Sequence, residues 1–196
     1  MKISPKYEVS HFIKANEEKD WLELVKIFSD RLEGRYLKPV ELILNGDSKI
    51  SEFSGFSILA LDCILIETLN QFYNGKNNTD DKPCDVTPIK NSFINFLTTS
   101  ISFCNDFDKS KASTFYYHFR NGLLHQAQTK NKSLIKIGQP KMVTKIEGGL
   151  IIDRILFHQA IVDEINNYKS QLISGEDNKV KRENFITKMK FICGCE

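Results

Sequence analysis

The stretch from Phe53 to Tyr73, FSGFSILALDCILIETLNQFY, sets the tightest limit on what this chain can become. Phe56, Ile58, Leu59, Leu61, Ile64, Leu65, Ile66, Leu69, Phe72 and Tyr73 fall on almost every side of a helix. An amphipathic surface helix carries one apolar stripe, whereas a helix that is apolar all round has to be surrounded. The chain must therefore wrap other elements about this segment. Two carboxylates, Asp62 and Glu67, ride inside it, and a carboxylate taken out of water needs a partner.

The remaining sequence supplies the wrapping mostly as helices. Residues 1–15 read as a weakly ordered lead-in and 16–196 as one domain. From Glu17 to about Glu33, Trp21, Leu22, Leu24, Val25, Ile27, Phe28 and Leu32 recur at helical spacing, with Gly34 as the stop. Tyr36 to Leu44 reads as a short helix with Pro39 in its first turn, and Asn45-Gly46-Asp47 as a turn. Gly75 through Pro88 is a polar loop rich in Asn and Asp. Ile89 to Phe107 predicts another helix. Asp108 or Ser110 caps the next, which runs to about Thr129 and buries Phe115, Phe119, Leu123 and Leu124. The pattern then changes. Ser133 to Gly138, Lys141 to Ile146 and Leu150 to Ile152 are short and β-branched, with Gly138-Gln139-Pro140 and Gly148-Gly149 between them. They predict a small β-hairpin or meander inserted at 133–152. Helices resume over Arg154 to Ile173 and Lys179 to Ile192, separated by Ser174-Gly175-Glu176-Asp177. The expected fold class is mainly all-α: a helical bundle with a small β insertion before its last helices.

Composition narrows the class of function. With 196 residues, 41% of them hydrophobic, the chain can build a full core. No apolar run reaches bilayer length, and the opening MKISPKYEVSHFIKANEEKDW lacks an apolar signal core. The expectation is a cytoplasmic protein with no membrane partner. The five cysteines, Cys63, Cys84, Cys104, Cys193 and Cys195, are odd in number and form no CxxC, which argues against a disulfide framework. Cys63 and Cys104 read as core fillers, and Cys193-Gly-Cys195 as a tail. The histidines have no zinc-like spacing with cysteine, so no metal and no cofactor is expected.

Net charge is only +2, but it is unevenly spread. Between Asp108 and Glu147 lie Lys109, Lys111, Arg120, Lys130, Lys132, Lys136, Lys141 and Lys145, and no acidic residue. Such a segment suits an anionic ligand such as nucleic acid. A solvated lysine-rich loop is the other reading.

Within it stands FYYHFRNGLLHQAQ, residues 115–128, a core helix that also carries Arg120, Asn121 and His125. At about 100° per residue, Arg120 and His125 lie about 140° apart, while Asn121 and His125 share a face. A glycine inside a helix costs about 1 kcal/mol against alanine. Gly122 therefore predicts a close neighbour, for example the same helix of a second protomer or a nucleic-acid backbone. The set suits cleavage of RNA, which supplies its own 2′-hydroxyl nucleophile. Histidine can carry the proton, arginine can neutralise the phosphorane oxygens, and the amide can orient phosphate or imidazole. Asp62 and Glu67 are candidate partners for Arg120, as structural supports. His118, Lys130 and Lys132 are candidate RNA contacts. Tyr116 and Tyr117 are either base-stacking surfaces or core. His11 and His158 receive no role.

The sequence RNGLLH resembles the Arg-(four to six residues)-His motif of the HEPN superfamily, with the usual polar residue after the arginine. GRYLKPVELIL, FSGFSILALDCILIETLNQFYNG and FYYHFRNGLLHQAQ resemble consecutive blocks of a bacterial HEPN subfamily. The similarity runs from about Asp30 to Thr129 and more weakly through the final helices. It implies a helical bundle whose protomers pair as a homodimer with both motifs at the interface. It also implies a metal-independent endoribonuclease with Arg120, Asn121 and His125 catalytic, acting as a toxin or abortive-infection effector with an antitoxin or defence-system partner. Many members are non-catalytic, so a module binding RNA, a nucleotide or a protein partner is the alternative. Where silenced HEPN toxins carry a tyrosine two residues after the histidine, this chain has Ala127, which removes support for adenylylation there.

Overall fold

The structure, a computed structural model, describes residues 1–76, 87–174 and 178–195. Cys84, most of the expected polar loop, and Gly175-Glu176-Asp177 lie outside the described residues. The described chain is mainly helical, with one three-stranded sheet. Its helices are α1 (Val9–Glu17), α2 (Trp21–Leu32), α3 (Lys38–Leu44), α4 (Ser48–Phe53), α5 (Gly55–Asn74), α6 (Thr87–Thr99), α7 (Lys109–Phe115), α8 (Asn121–Gln126), α9 (Arg154–Ile173) and α10 (Lys179–Cys193).

Helix α5 is the axle. Ile58, Leu59, Cys63, Leu65, Ile66, Leu69 and Phe72 are fully buried, and α6, α8, α9 and α10 pack along it. By length and hydropathy it is long enough to cross a membrane, yet more than half of it is buried inside the fold. Two aromatic clusters fill the space around it. Phe28, Phe72, Tyr168 and Phe185 meet edge-on or tilted at centroid distances of 4.8–6.5 Å. Phe115 stacks on Phe119 at 5.0 Å and on Phe157 at 4.9 Å, with Phe107 edge-on at 5.6 Å.

Several expectations change. Residues 1–15 are no loose lead-in. Phe12, Ala15 and Ile3 are buried, Lys2 bridges Glu8, and the Ser4 hydroxyl and Lys6 N–H both donate to Asp30. The amphipathic face of α1 is short, and its polar flanks hid it. Gly34 does not stop α2. The chain widens through a π turn at 33–37, where the Lys38 N–H reaches the Glu33 carbonyl, and runs straight into α3. A Cβ at Gly34 would strike the Pro5 ring, so the glycine admits the N-terminal segment. The wide turn directly precedes Pro39, whose ring would collide with the carbonyl four residues back in a regular helix. The expected helix ending at Phe107 ends at Thr99. Cys104 is exposed rather than core, while Cys63 is buried.

The β insertion is real but is not a meander. Strands β1 (Leu134–Lys136), β2 (Val143–Ile146) and β3 (Gly149–Asp153) are ordered β1-β3-β2. Strand β3 pairs antiparallel with β2 and parallel with β1. Only β2–β3 is a hairpin, closed at Gly148 with φ +79°. The central place belongs to the most buried strand, since Leu150 and Ile152 are nearly inaccessible.

Phe115 touches four other rings at no exposure, so Phe115→Ala should cost roughly 3–5 kcal/mol in chemical denaturation, through lost transfer energy and a cavity. Leu42→Ala, 74% exposed, should stay within about 0.5 kcal/mol.

Candidate active site

The helix bearing the motif is built in three pieces. The Asp108 carboxylate caps α7 by accepting from the Lys111 N–H. A π turn follows at Tyr116–Arg120, closed by the Asn121 N–H on the Tyr116 carbonyl, and α8 completes it. Phe115, Tyr116 and Phe119 are buried, and Tyr117 is exposed. Leu124, expected in the core, is 39% exposed, because the widened turn delays the apolar face that an unbroken α-helix would present there.

Arg120 turns inward to α5. Its Nε donates to Glu67 Oε1 at 2.7 Å, with side chains 14% and 22% exposed. Nη1 donates to Asn121 Oδ1 at 3.2 Å, and the guanidinium carbon lies 5.5 Å from the centre of the Tyr116 ring. Burial pulls the Arg120 pKa down, but the Glu67 hydrogen bond and charge more than offset it, and the net shift is upward. With its oxygen given to Arg120, the Asn121 amide keeps its N–H donors for a ligand. Among the described residues Arg120 likewise keeps both hydrogens of Nη2 and one of Nη1. His125 is exposed on α8, and no hydrogen bond among the described residues ties its ring to Arg120 or Asn121.

Asp62 is not part of this set. It is fully buried and pairs with His158 of α9 at 2.7 Å, Oδ1 to Nδ1. Burial raises its pKa, and the His158 hydrogen bond partly offsets that. His158, given no role from sequence, thus holds α9 against α5. Its single signal was the need of Asp62 for a partner.

Gly122 also has a local reason. Past α8, Ala127 turns left-handed with φ 53°, and the chain doubles back along its own helix. A Cβ at Gly122 would strike the Gln128 carbonyl. The close neighbour in the structure is this turn. The return strand continues with the Lys130 N–H on the His118 carbonyl. There His118 makes two bonds. Nδ1 meets the Ser133 hydroxyl at 2.9 Å, and Nε2 meets the Asn131 side-chain nitrogen at 2.8 Å. An amide nitrogen only donates, so Nε2 accepts and Nδ1–H donates, which makes the ring neutral. Ser133 in turn accepts from the Leu150 N–H, fastening the return strand to the sheet.

The structure therefore brings Arg120, Asn121 and Glu67 together, and separately His118 with Lys130. Lys132 reaches towards Glu147 at 3.9 Å across open solvent. No family model, curated protein or solved structure matches this chain. Among the described residues, no three His, Cys, Asp or Glu side chains gather as a metal-binding group.

Two outcomes follow. Gly122→Ala should destabilise the chain by about 1–3 kcal/mol in denaturant titration, because the turn at Gln128 must shift. Burial, helped by Lys130, lowers the His118 pKa. The unfolded chain therefore binds the proton more readily. The stability this contributes is complete above about pH 6.5 and is lost as pH falls through the folded value. Melting temperature should drop on going from about pH 7 to about pH 5, and His118→Gln should flatten that part of the curve.

Proposed function

We propose that the chain is a metal-independent endoribonuclease of HEPN type. It works as a homodimer on RNA in the cytoplasm, as a toxin or antiviral-defence effector held by an antitoxin or other defence-system partner. The observation that carries this reading is the Glu67–Arg120–Asn121 chain of hydrogen bonds. It fixes a guanidinium directly before the short helix α8 that carries a solvent-facing His125.

In this reading the phosphodiester docks on the unused hydrogens of Arg120 and the Asn121 amide. The 2′-hydroxyl oxygen attacks phosphorus, the 5′-oxygen leaves, and His125 moves one of the two protons involved. Arg120 stabilises the charge that builds on the phosphorane. Glu67 is a positioning residue: it holds Nε and leaves the outer edge of the fork for phosphate. The products carry 2′,3′-cyclic phosphate and 5′-hydroxyl ends. Lys130 and Lys132, on the return strand, add long-range attraction for the RNA backbone.

One observation favours a second reading, a non-catalytic HEPN module that binds RNA, a nucleotide or a protein partner. The Arg120 charge already answers Glu67, and nothing among the described residues draws His125 towards it. Such a site can bind without turnover.

The two readings separate in one experiment. Purified protein is incubated with total bacterial RNA, with and without EDTA, beside folded Arg120→Ala and His125→Ala variants. Cleavage should be indifferent to EDTA, and His125→Ala should slow it by about 10²–10⁴-fold. Salt-sensitive RNA binding with intact RNA supports the binding module. Cleavage that EDTA abolishes, or that survives His125→Ala, rejects the endoribonuclease mechanism.

A further inference from the structure

A second site lies at the start of α5, away from Arg120. Its centre is Arg154, the first residue of α9, 3% exposed. The guanidinium reaches back to the end of α4. Nη2 donates to the Ser51 carbonyl, and Nη1 approaches the Glu52 carbonyl and the Ser54 hydroxyl at 3.4 Å each. Carbonyls at a helix C-terminus attract a cation, which explains part of the arrangement. They do not complete it. Nε is buried and has no acceptor. Nη2 gives one of its two hydrogens. Among the described residues Arg154 takes part in no ion pair.

The neighbouring carboxylate, Asp153, is already spent. Its Oδ1 accepts from the Ile155 and Leu156 N–H groups, and its Oδ2 from the Gln139 N–H. Burial lowers the Arg154 pKa, and the charge of Asp153 only partly restores it. A buried cation with unmet donors and no counter-ion is costly unless something answers it.

Arg154 forms one wall of a cavity of about 470 Å³, a size that suits a small ligand. The other walls are largely apolar. Phe53 is 76% exposed and Phe56 42%, and Ile135 and Ile137 come from β1 and the residue after it. Lys136 adds a second cation at the rim, and the exposed Glu52 the one carboxylate. Gly55 is pressed between the two sides. A Cβ there would meet Ile135 Cγ2 at 2.9 Å and Arg154 Nη1 at 3.3 Å. The cavity is thus an apolar cleft with a guanidinium in its wall and a small excess of positive charge.

We propose that this cleft binds a small apolar carboxylate, of the medium-chain fatty acid or aryl-alkanoic acid class, with its carboxylate on Arg154. Arg154 keeps one Nη2 hydrogen for a carboxylate oxygen, a charge-assisted bond. The apolar body displaces water from Phe53, Phe56 and Ile137. Phosphate or acetate supplies the charge without the body, and an alcohol the body without the charge. The cleft answers both together. The proposal stands apart from the RNA reading and does not use Arg120 or His125.

The test is calorimetric titration of the full chain with octanoate, octanol and acetate. Octanoate should bind saturably, one molecule per chain. Octanol and acetate should each bind about tenfold weaker or worse, the factor that one charge-assisted hydrogen bond supplies. Phe53→Asp, at an exposed position, should abolish octanoate binding with the fold intact. Arg154→Lys should weaken octanoate but leave octanol unchanged. Arg120→Ala and His125→Ala should bind octanoate as the unaltered chain does. Equal binding of octanoate and octanol, octanoate binding unaffected by Phe53→Asp, or no saturable octanoate binding up to about 1 mM would overturn the proposal.

Discussion

Everything in this fold answers to the burial of α5. A helix without a solvent face fixes that neighbours must exist, but not their rotation or register. Those are set by the few polar groups it carries inside. Asp62 accepts the ring of His158 and so fixes α9. Glu67 accepts Arg120 and fixes the motif helix. Tyr73 donates to Glu164 of α9 at 2.7 Å, and its carbonyl takes the Asn184 amide of α10. Hydrophobic attraction is non-directional. These bonds are directional, and an unmet one is expensive. The apolar surface drives assembly, and the polar groups choose among ways of assembling.

The candidate site is a by-product of that choice. Glu67 has to be paired because α5 is central, and the pair holds Arg120 at the edge of the core with three hydrogens unengaged among the described residues. In the proposed reading, a guanidinium held in this way needs little reorganisation to meet a phosphate. His125 belongs to the other side of the same helix, where the polypeptide leaves it to solvent. One helix thus divides its labour, with one face indexed to the aromatic cluster around Phe115 and the other to whatever approaches from outside.

Much of this was legible in the sequence, for reasons that can be named. Helical spacing marked α2, apolar residues on almost every side marked α5, and short β-branched runs marked the sheet. The need of Asp62 and Glu67 for partners was visible, and Glu67 with Arg120 was among the pairings considered. The pairing of Asp62 was not, because a buried His158 looks like any other histidine until α9 is in place. The order β1-β3-β2 was hidden because pairing of β1 with β3 skips a neighbour in the chain. Leu124 was placed in the core because a π turn leaves no mark in apolar spacing; the Asp108 cap stands as read, and the helix closes at Gln126 rather than about Thr129 because Ala127 turns left-handed. Gly122 stood out inside its helix and Gly34 read as a helix stop, but what crowds them, Gln128 and Pro5, comes from the folded path of the backbone.

The π turn at Tyr116–Arg120 has a consequence for how such chains diverge. An α-helix advances 100° per residue, so the extra residue of a wide turn resets the phase of everything after it. Loss of one residue there would restore a regular helix and keep Phe115 in the core. It would also swing Arg120 and His125 by about a quarter-turn around the axis. A single-codon deletion, silent in composition and helix content, would therefore part Arg120 from Glu67.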